Sequence, residues 1–88
     1  MLLAKIYITL KPGVLDPQGE AVAGGLKAMG YTGVAAVRVG KYLEVRLDRD
    51  DRAEAGRQVE EMCRRLLANP VIEEYRYSLE EVTGAFTS

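Results

Sequence analysis

Residues 4–11 alternate without a break: Ala4, Ile6, Ile8 and Leu10 fall on one side, and Lys5, Tyr7, Thr9 and Lys11 on the other. A period of two over this length specifies a strand with one buried face. The next residues, Lys11-Pro12-Gly13-Val14-Leu15-Asp16-Pro17-Gln18-Gly19, close off any continuation of that strand. They supply a rigid Pro-Gly turn, two apolar residues, an aspartate suited to N-cap a helix, and a proline at its first position. A connection has only to change direction, and about four polar residues suffice for that. Apolar residues held on a stiff loop therefore suggest that the loop touches something.

The helix beginning at Asp16 and Pro17 carries Val22, Gly25, Leu26 and Met29 at helical spacing and reaches Gly30, a natural C′ residue. Gly24 and Gly25 inside it each cost about 1 kcal/mol against alanine. Close packing on a sheet accounts for Gly25, and an outside contact for Gly24. A second alternation runs from Val34 to Val39 and a third from Tyr42 to Asp48. Gly40-Lys41 between them reads as a hairpin of odd length, or one carrying a bulge, with Gly40 at positive φ. Asp51 and Glu54 have capping-box spacing at the head of a long amphipathic helix that Asn69-Pro70 ends. The last strand covers Val71 to Leu79.

The order is βαββαβ. It predicts an α+β, two-layer βαββαβ sandwich, a four-stranded antiparallel sheet with two helices of about 13 and 16 residues on one face. The expected core includes Leu26, Met29, Val45, Leu47, Val59, Met62 and Leu66. The opposite face would display Lys5, Tyr7, Thr9, Tyr42, Glu44 and Arg46, which serve equally well as a docking surface or as a plain solvated face.

Eighty-eight residues make one domain, read as 1–82, followed by a short tail over 83–88. A core this small gains from self-association. Twelve basic against thirteen acidic residues give no electrostatic footprint for nucleic acid or an anionic membrane. No run spans a bilayer and no signal peptide is visible, so a soluble, cytoplasmic protein is the expectation.

There is no histidine, which removes His-based nucleophile pairs, His-bearing zinc sites and the commonest general base. The single cysteine, Cys63, has no activating partner in sequence and reads as a small core residue. Gly40-Lys41 lacks the remaining positions of a phosphate loop, since Ala35 and Tyr42 stand where glycine and Ser or Thr are needed. Carboxylate pairs such as Glu60-Glu61 are sequence neighbours that do not face one another. Catalytic, metal and cofactor-binding residues are therefore expected to be absent. What remains is a set of unusual connections. Lys11, Val14, Leu15, Asp16, Pro17, Gln18, Gly19, Arg38, Gly40, Lys41, Asn69, Pro70, Ile72 and Glu73 are expected to contact partners.

Three separated stretches carry a family resemblance: Lys11 to Gly19, then Val37-Arg38-Val39-Gly40-Lys41-Tyr42, then Met62-Cys63 with Leu66-Leu67-Ala68-Asn69-Pro70-Val71-Ile72-Glu73. Together, over about residues 3–82, the chain resembles the PurS family, small subunits of phosphoribosylformylglycinamidine synthase. The resemblance implies a non-catalytic role in a ligase of de novo purine synthesis. A glutaminase subunit there releases ammonia, and a synthetase subunit consumes it together with ATP and magnesium. The small subunit, by the same resemblance, forms a homodimer or higher assembly, bridges the two partners and assists ammonia transfer. The contrasting expectation is a metabolite-binding regulatory domain of the same βαββαβ type, also acting as a dimer.

Overall fold

The structure, a computed structural model, describes residues 1–82, so the proposed tail at 83–88 lies outside the described residues. The elements are β1 (Leu2–Leu10), α1 (Pro17–Ala28), β2 (Gly40–Leu47), α2 (Arg52–Met62) and β3 (Glu73–Glu81). A π-helical turn (Cys63–Leu67) continues α2 without a break. The sheet has the order β2-β1-β3, with both pairings antiparallel. The α+β class stands, but the described sheet has three strands where four were expected.

The missing strand is the segment 34–39. It is not paired, and the expected hairpin at Gly40-Lys41 does not form. The chain instead runs into β2, whose first residue, Gly40, already pairs with Thr9. Gly40 is not at positive φ. Glycine is needed there for close approach, because a Cβ would sit 2.4 Å from the Ile8 carbonyl oxygen.

The core forms where α2 lies on one face of the sheet. Leu2, Ala4, Ile6 and Ile8 of β1 are fully buried together with Ala55, Val59 and Cys63. Leu43, Val45, Met62, Leu67, Tyr75, Tyr77 and Leu79 pack around them. Asp51 caps α2 as its spacing predicted, its Oδ1 accepting from the Ala53 and Glu54 N–H groups at 3.0 and 3.3 Å. The Glu54 carboxylate turns instead to Arg57, at 2.5 Å, and not back to the cap.

The π turn overturns one core expectation. Its hydrogen bond, from the Ala68 N–H to the Cys63 carbonyl at 3.0 Å, spans five residues and not four. The extra residue rotates the following side chains, so Cys63 and Leu67 face the core while Leu66 is 83% exposed.

The first helix corrects another. Asp16, Pro17 and Gly30, the last at φ 99°, bound α1 as expected. Yet α1 does not lie on the sheet: its one buried residue is Gly19, Met29 is 73% exposed, and nothing lies within 4 Å of a Cβ built on Gly24 or Gly25. Two helices on one face is therefore not what this chain forms alone. The α-carbon radius of gyration is 16.5 Å, against about 12 Å for a compact chain of this length. The excess is an arm, made of α1 and residues 31–39, that stands off the end of the sheet.

Candidate functional site

The first connection is built from its sequence outward. Pro12 and Gly13 form a type II turn: Gly13 takes φ 87° and the Val14 N–H donates to the Lys11 carbonyl at 3.1 Å. That stiffness holds Leu15 out at 69% exposure. Asp16 follows with both carboxylate oxygens engaged. Oδ1 accepts from the Gly19 N–H and Oδ2 from the Val39 N–H, each at 2.9 Å. The Val39 bond first, then the Gly19 bond and the nearby Arg38 charge, hold this carboxyl below the usual range. Gly19 is required at this junction, since a Cβ would lie 2.2 Å from the Val37 carbonyl oxygen.

The connection from the π turn to β3 is knotted on itself. The Asn69 carbonyl accepts from the Ile72 and Glu73 N–H groups at 3.2 and 2.7 Å. Its side-chain Oδ1 accepts from the Val71 N–H at 3.1 Å, and Glu73 Oε1 accepts from the Asn69 N–H at 2.7 Å. Val71 and Ile72 are left 78% and 39% exposed.

Cations then tie the connections together at one end of the sheet. The Lys11 N–H donates to the Ile72 carbonyl at 2.8 Å, and its Nζ to the Pro70 carbonyl at 2.7 Å. Lys41 Nζ reaches the Leu67 carbonyl at 3.3 Å and Glu73 at 3.8 Å. Arg38 donates to the Leu10 carbonyl and pairs with Glu74 at 3.6 Å. Asp16, Pro17, Gln18, Gly40, Lys41 and Glu73 share a shallow groove of about 300 Å³ with Leu10 and Val39. Val14 and Leu15 face a different hollow, of about 670 Å³, between α1 and residues 35–37. The residues named from sequence thus gather at one end of the sheet but open onto two depressions.

Sequence reasoning missed Val39 and Glu74 at this end. Val39 acts through its backbone N–H, which no side-chain pattern reveals. Glu74 carries no signal in its residue type; its register opposite Thr9 places it beside the loops.

This end offers shape, apolar contact and paired charge rather than chemistry. Among the described residues no three His, Cys, Asp or Glu side chains are grouped to hold a metal. The strongest perturbation lies elsewhere: Tyr75 donates to Glu60 at 2.5 Å, and that bond with burial pushes its hydroxyl up to about 12. Burial also raises the Cys63 thiol, which fits a core residue and not a nucleophile. On the open sheet face, the Tyr7 and Tyr42 rings meet tilted at 37° with centroids 5.1 Å apart, Arg76 lies 5.2 Å over Tyr7, and Lys5 pairs with Glu80 at 2.7 Å. No described helix is long and apolar enough to cross a membrane.

Residues 3–81 match the family model PurS, described as phosphoribosylformylglycinamidine (FGAM) synthase. A curated PurS subunit from Synechocystis sp. is 51% identical over 83 residues, covering 94% of this chain and 83% of that one. The solved structure of Bacillus subtilis PurS, also 51% identical, superposes with a TM-score of 0.82 over 92% of this chain and 100% of that one. A chain in the structure of PurLQS from Thermotoga maritima, 27% identical, gives 0.80 over 91% and 99%. These matches favour the synthase subunit over the regulatory domain of the same topology. With the fold, the motifs and the relatives in agreement over nearly its whole length, this chain belongs to the PurS family, the small subunits of phosphoribosylformylglycinamidine synthase.

Proposed function

We propose that this chain is the non-catalytic subunit that bridges the glutaminase and the ATP-dependent synthetase, and that the loop end of the sheet is where it does so. The supporting observation is the convergence of two stiff connections, 11–19 and 69–73, that present Leu15, Val71 and Ile72 to solvent over a scaffold of fixed backbone bonds. Exposed apolar side chains on rigid turns lose little conformational freedom on docking, so contact is gained at small entropic cost. Ammonia passing between two active sites has to be kept from bulk water, where it would be protonated or lost. A brace that seals a junction meets that need without any catalytic group. ATP and magnesium belong to the partner synthetase in this reading. The chain associates with itself as a dimer or larger, which supplies burial that 88 residues alone provide poorly.

Arg38 and Lys41 also pin β1, β3 and the π turn to the start of β2, so replacing them confuses docking with folding. Val14, Leu15 and Ile72 are cleaner. The triple serine variant should keep its melting temperature within a few degrees while losing most glutamine-dependent synthesis when mixed with both partners. Ammonia-dependent synthesis by the synthetase subunit alone serves as the control. A triple variant that assembles and turns over normally would remove the loops from the interface. The purified chain alone should show no glutaminase, ATPase or ligase turnover.

A further inference from the structure

The open face of the sheet is built in rows that run across all three strands. Leu3 stands between Arg46 and Glu80, Lys5 between Glu44 and Ser78, Tyr7 between Tyr42 and Arg76, and Thr9 between Gly40 and Glu74. The Tyr7 row is unlike the others. Its two tyrosine centroids are 5.1 Å apart, and the Arg76 guanidinium carbon lies 5.2 Å from the Tyr7 centroid. Both separations match the spacing of adjacent strands, about 4.8 Å. Tyr7 is therefore flanked on both sides, and neither of its faces is left to stack on an incoming ring. What the row presents is edges: ring rims, hydroxyls and the guanidinium.

The charges of this face single out Arg76. Glu80 pairs with Lys5 at 2.7 Å, Glu74 pairs with Arg38 at 3.6 Å, and Glu44 accepts from the Tyr42 hydroxyl at 2.8 Å. Arg46 reaches Met1 Sδ at 2.8 Å. Arg76 meets no carboxylate or carbonyl among the described residues, and its contact is the Tyr7 ring. Stacking uses the flat side of a guanidinium and leaves its in-plane N–H groups free. Those groups form the fork that grips a carboxylate with two parallel bonds. Beside it lies a depression of about 160 Å³ walled by Tyr7, Thr9, Glu74, Tyr75 and Arg76, room for the end of one acidic side chain.

We propose that Arg76 anchors a carboxylate side chain of a partner subunit, and that the docked partner extends from the loop end across the open face. This rests on the bridging role put forward above. Continuity supports it: the row of Thr9 and Glu74 lies between Arg76 and the loop end, and Arg38 of the loop end already reaches Glu74. Charge complementarity names the occupant. A basic segment would meet Arg76 directly, while the acids of the face are already engaged. An aromatic group finds no free face on Tyr7. An acidic segment finds one oriented cation with its donors open, and the Glu74 charge on the wall is offset by Arg38. Tyrosine and arginine are the residue types that most often carry binding energy at the centre of an interface. Here they are already held in place, so little side-chain freedom is lost on docking.

The test uses the full chain with the glutaminase and synthetase subunits. Arg76→Gln should weaken assembly by about tenfold or more and leave the melting temperature unchanged. Arg76→Lys should recover only part of the loss, because an ammonium lacks the fork. An R76Q chain that assembles with undiminished affinity overturns the anchor. If the triple serine variant at Val14, Leu15 and Ile72 fails to assemble while R76Q assembles normally, the anchor falls and the bridging role stands. If both assemble normally, both fall. The R76K chain also identifies the occupant. At concentrations that saturate assembly, a carbodiimide condenses the introduced amine with a touching carboxylate to an amide, and takes up the lost water to become a urea; arginine does not couple. A branched peptide joining position 76 to an aspartate or glutamate of either partner is expected. A branch found only within this chain or between its copies overturns the docking, as does an assembled complex with no branch at all.

Discussion

The two helices of this chain begin in nearly the same way and end in opposite situations. Each is capped by an aspartate whose side chain accepts from N–H groups of the first turn, and each carries a glutamate in that turn. Helix α2 buries Ala55 and Val59 against β1, whereas α1 buries only Gly19. Capping and periodicity therefore decide that a helix exists, and tertiary contact decides what it is for. The α2 half is a folded unit with its core inside. The α1 half is a surface held in a defined direction.

The largest test of this contrast is Ile6→Ala. Ile6 is fully buried beneath α2, and its truncation should cost about 2–5 kcal/mol in urea unfolding. A loss below 1 kcal/mol would mean that the core is not where β1 and α2 meet. Next is Asp51→Ala, which removes the cap of the docked helix and should cost about 1 kcal/mol. An unchanged melting temperature would show that packing alone sustains α2.

A smaller effect is expected of Leu66→Ala. At dilutions where the chain sediments as a monomer, the change should stay within about 0.5 kcal/mol, as for other exposed positions. A loss of the size seen for buried leucines would place Leu66 inward and remove the π turn. The smallest effect is electrostatic and local to the arm. The Asp16 carboxyl lies below its unfolded value because the Val39 and Gly19 N–H groups bond its charged form. That contribution is complete above the ordinary carboxylate range and is lost as pH falls through the depressed folded value. The Val39 amide shift should therefore titrate with a midpoint below that of a free aspartate, while amides in the middle of β1 stay still. A midpoint at or above the ordinary value would break the link between α1 and residue 39.

Much of this contrast was legible in the residues. The alternation of β1 placed Ala4, Ile6 and Ile8 correctly, and the capping residues located both helix starts. The error at 34–40 has a definite cause. Alternation tells which face a residue occupies, not which strand lies beside it, and Gly40 serves close approach as well as it would serve a turn. The error at Leu66 is of the same kind. Leu66-Leu67 satisfies either of two helical phases, and only the five-residue hydrogen bond selects between them. At the loop end, the stiff residues were visible in sequence. Their convergence was not, because it depends on lysine and arginine side chains reaching backbone carbonyls far along the chain.

The π turn has a consequence for how this protein tolerates length change. A helix that already holds one surplus residue can lose it by reverting to ordinary winding, with the strands on either side undisturbed. A deletion within Cys63–Leu67 would therefore be absorbed locally, and its effect would be to swap which of two adjacent leucines points away from the core. Residue count in this single turn, independent of composition, works as a selector of the apolar group that the helix shows to the outside.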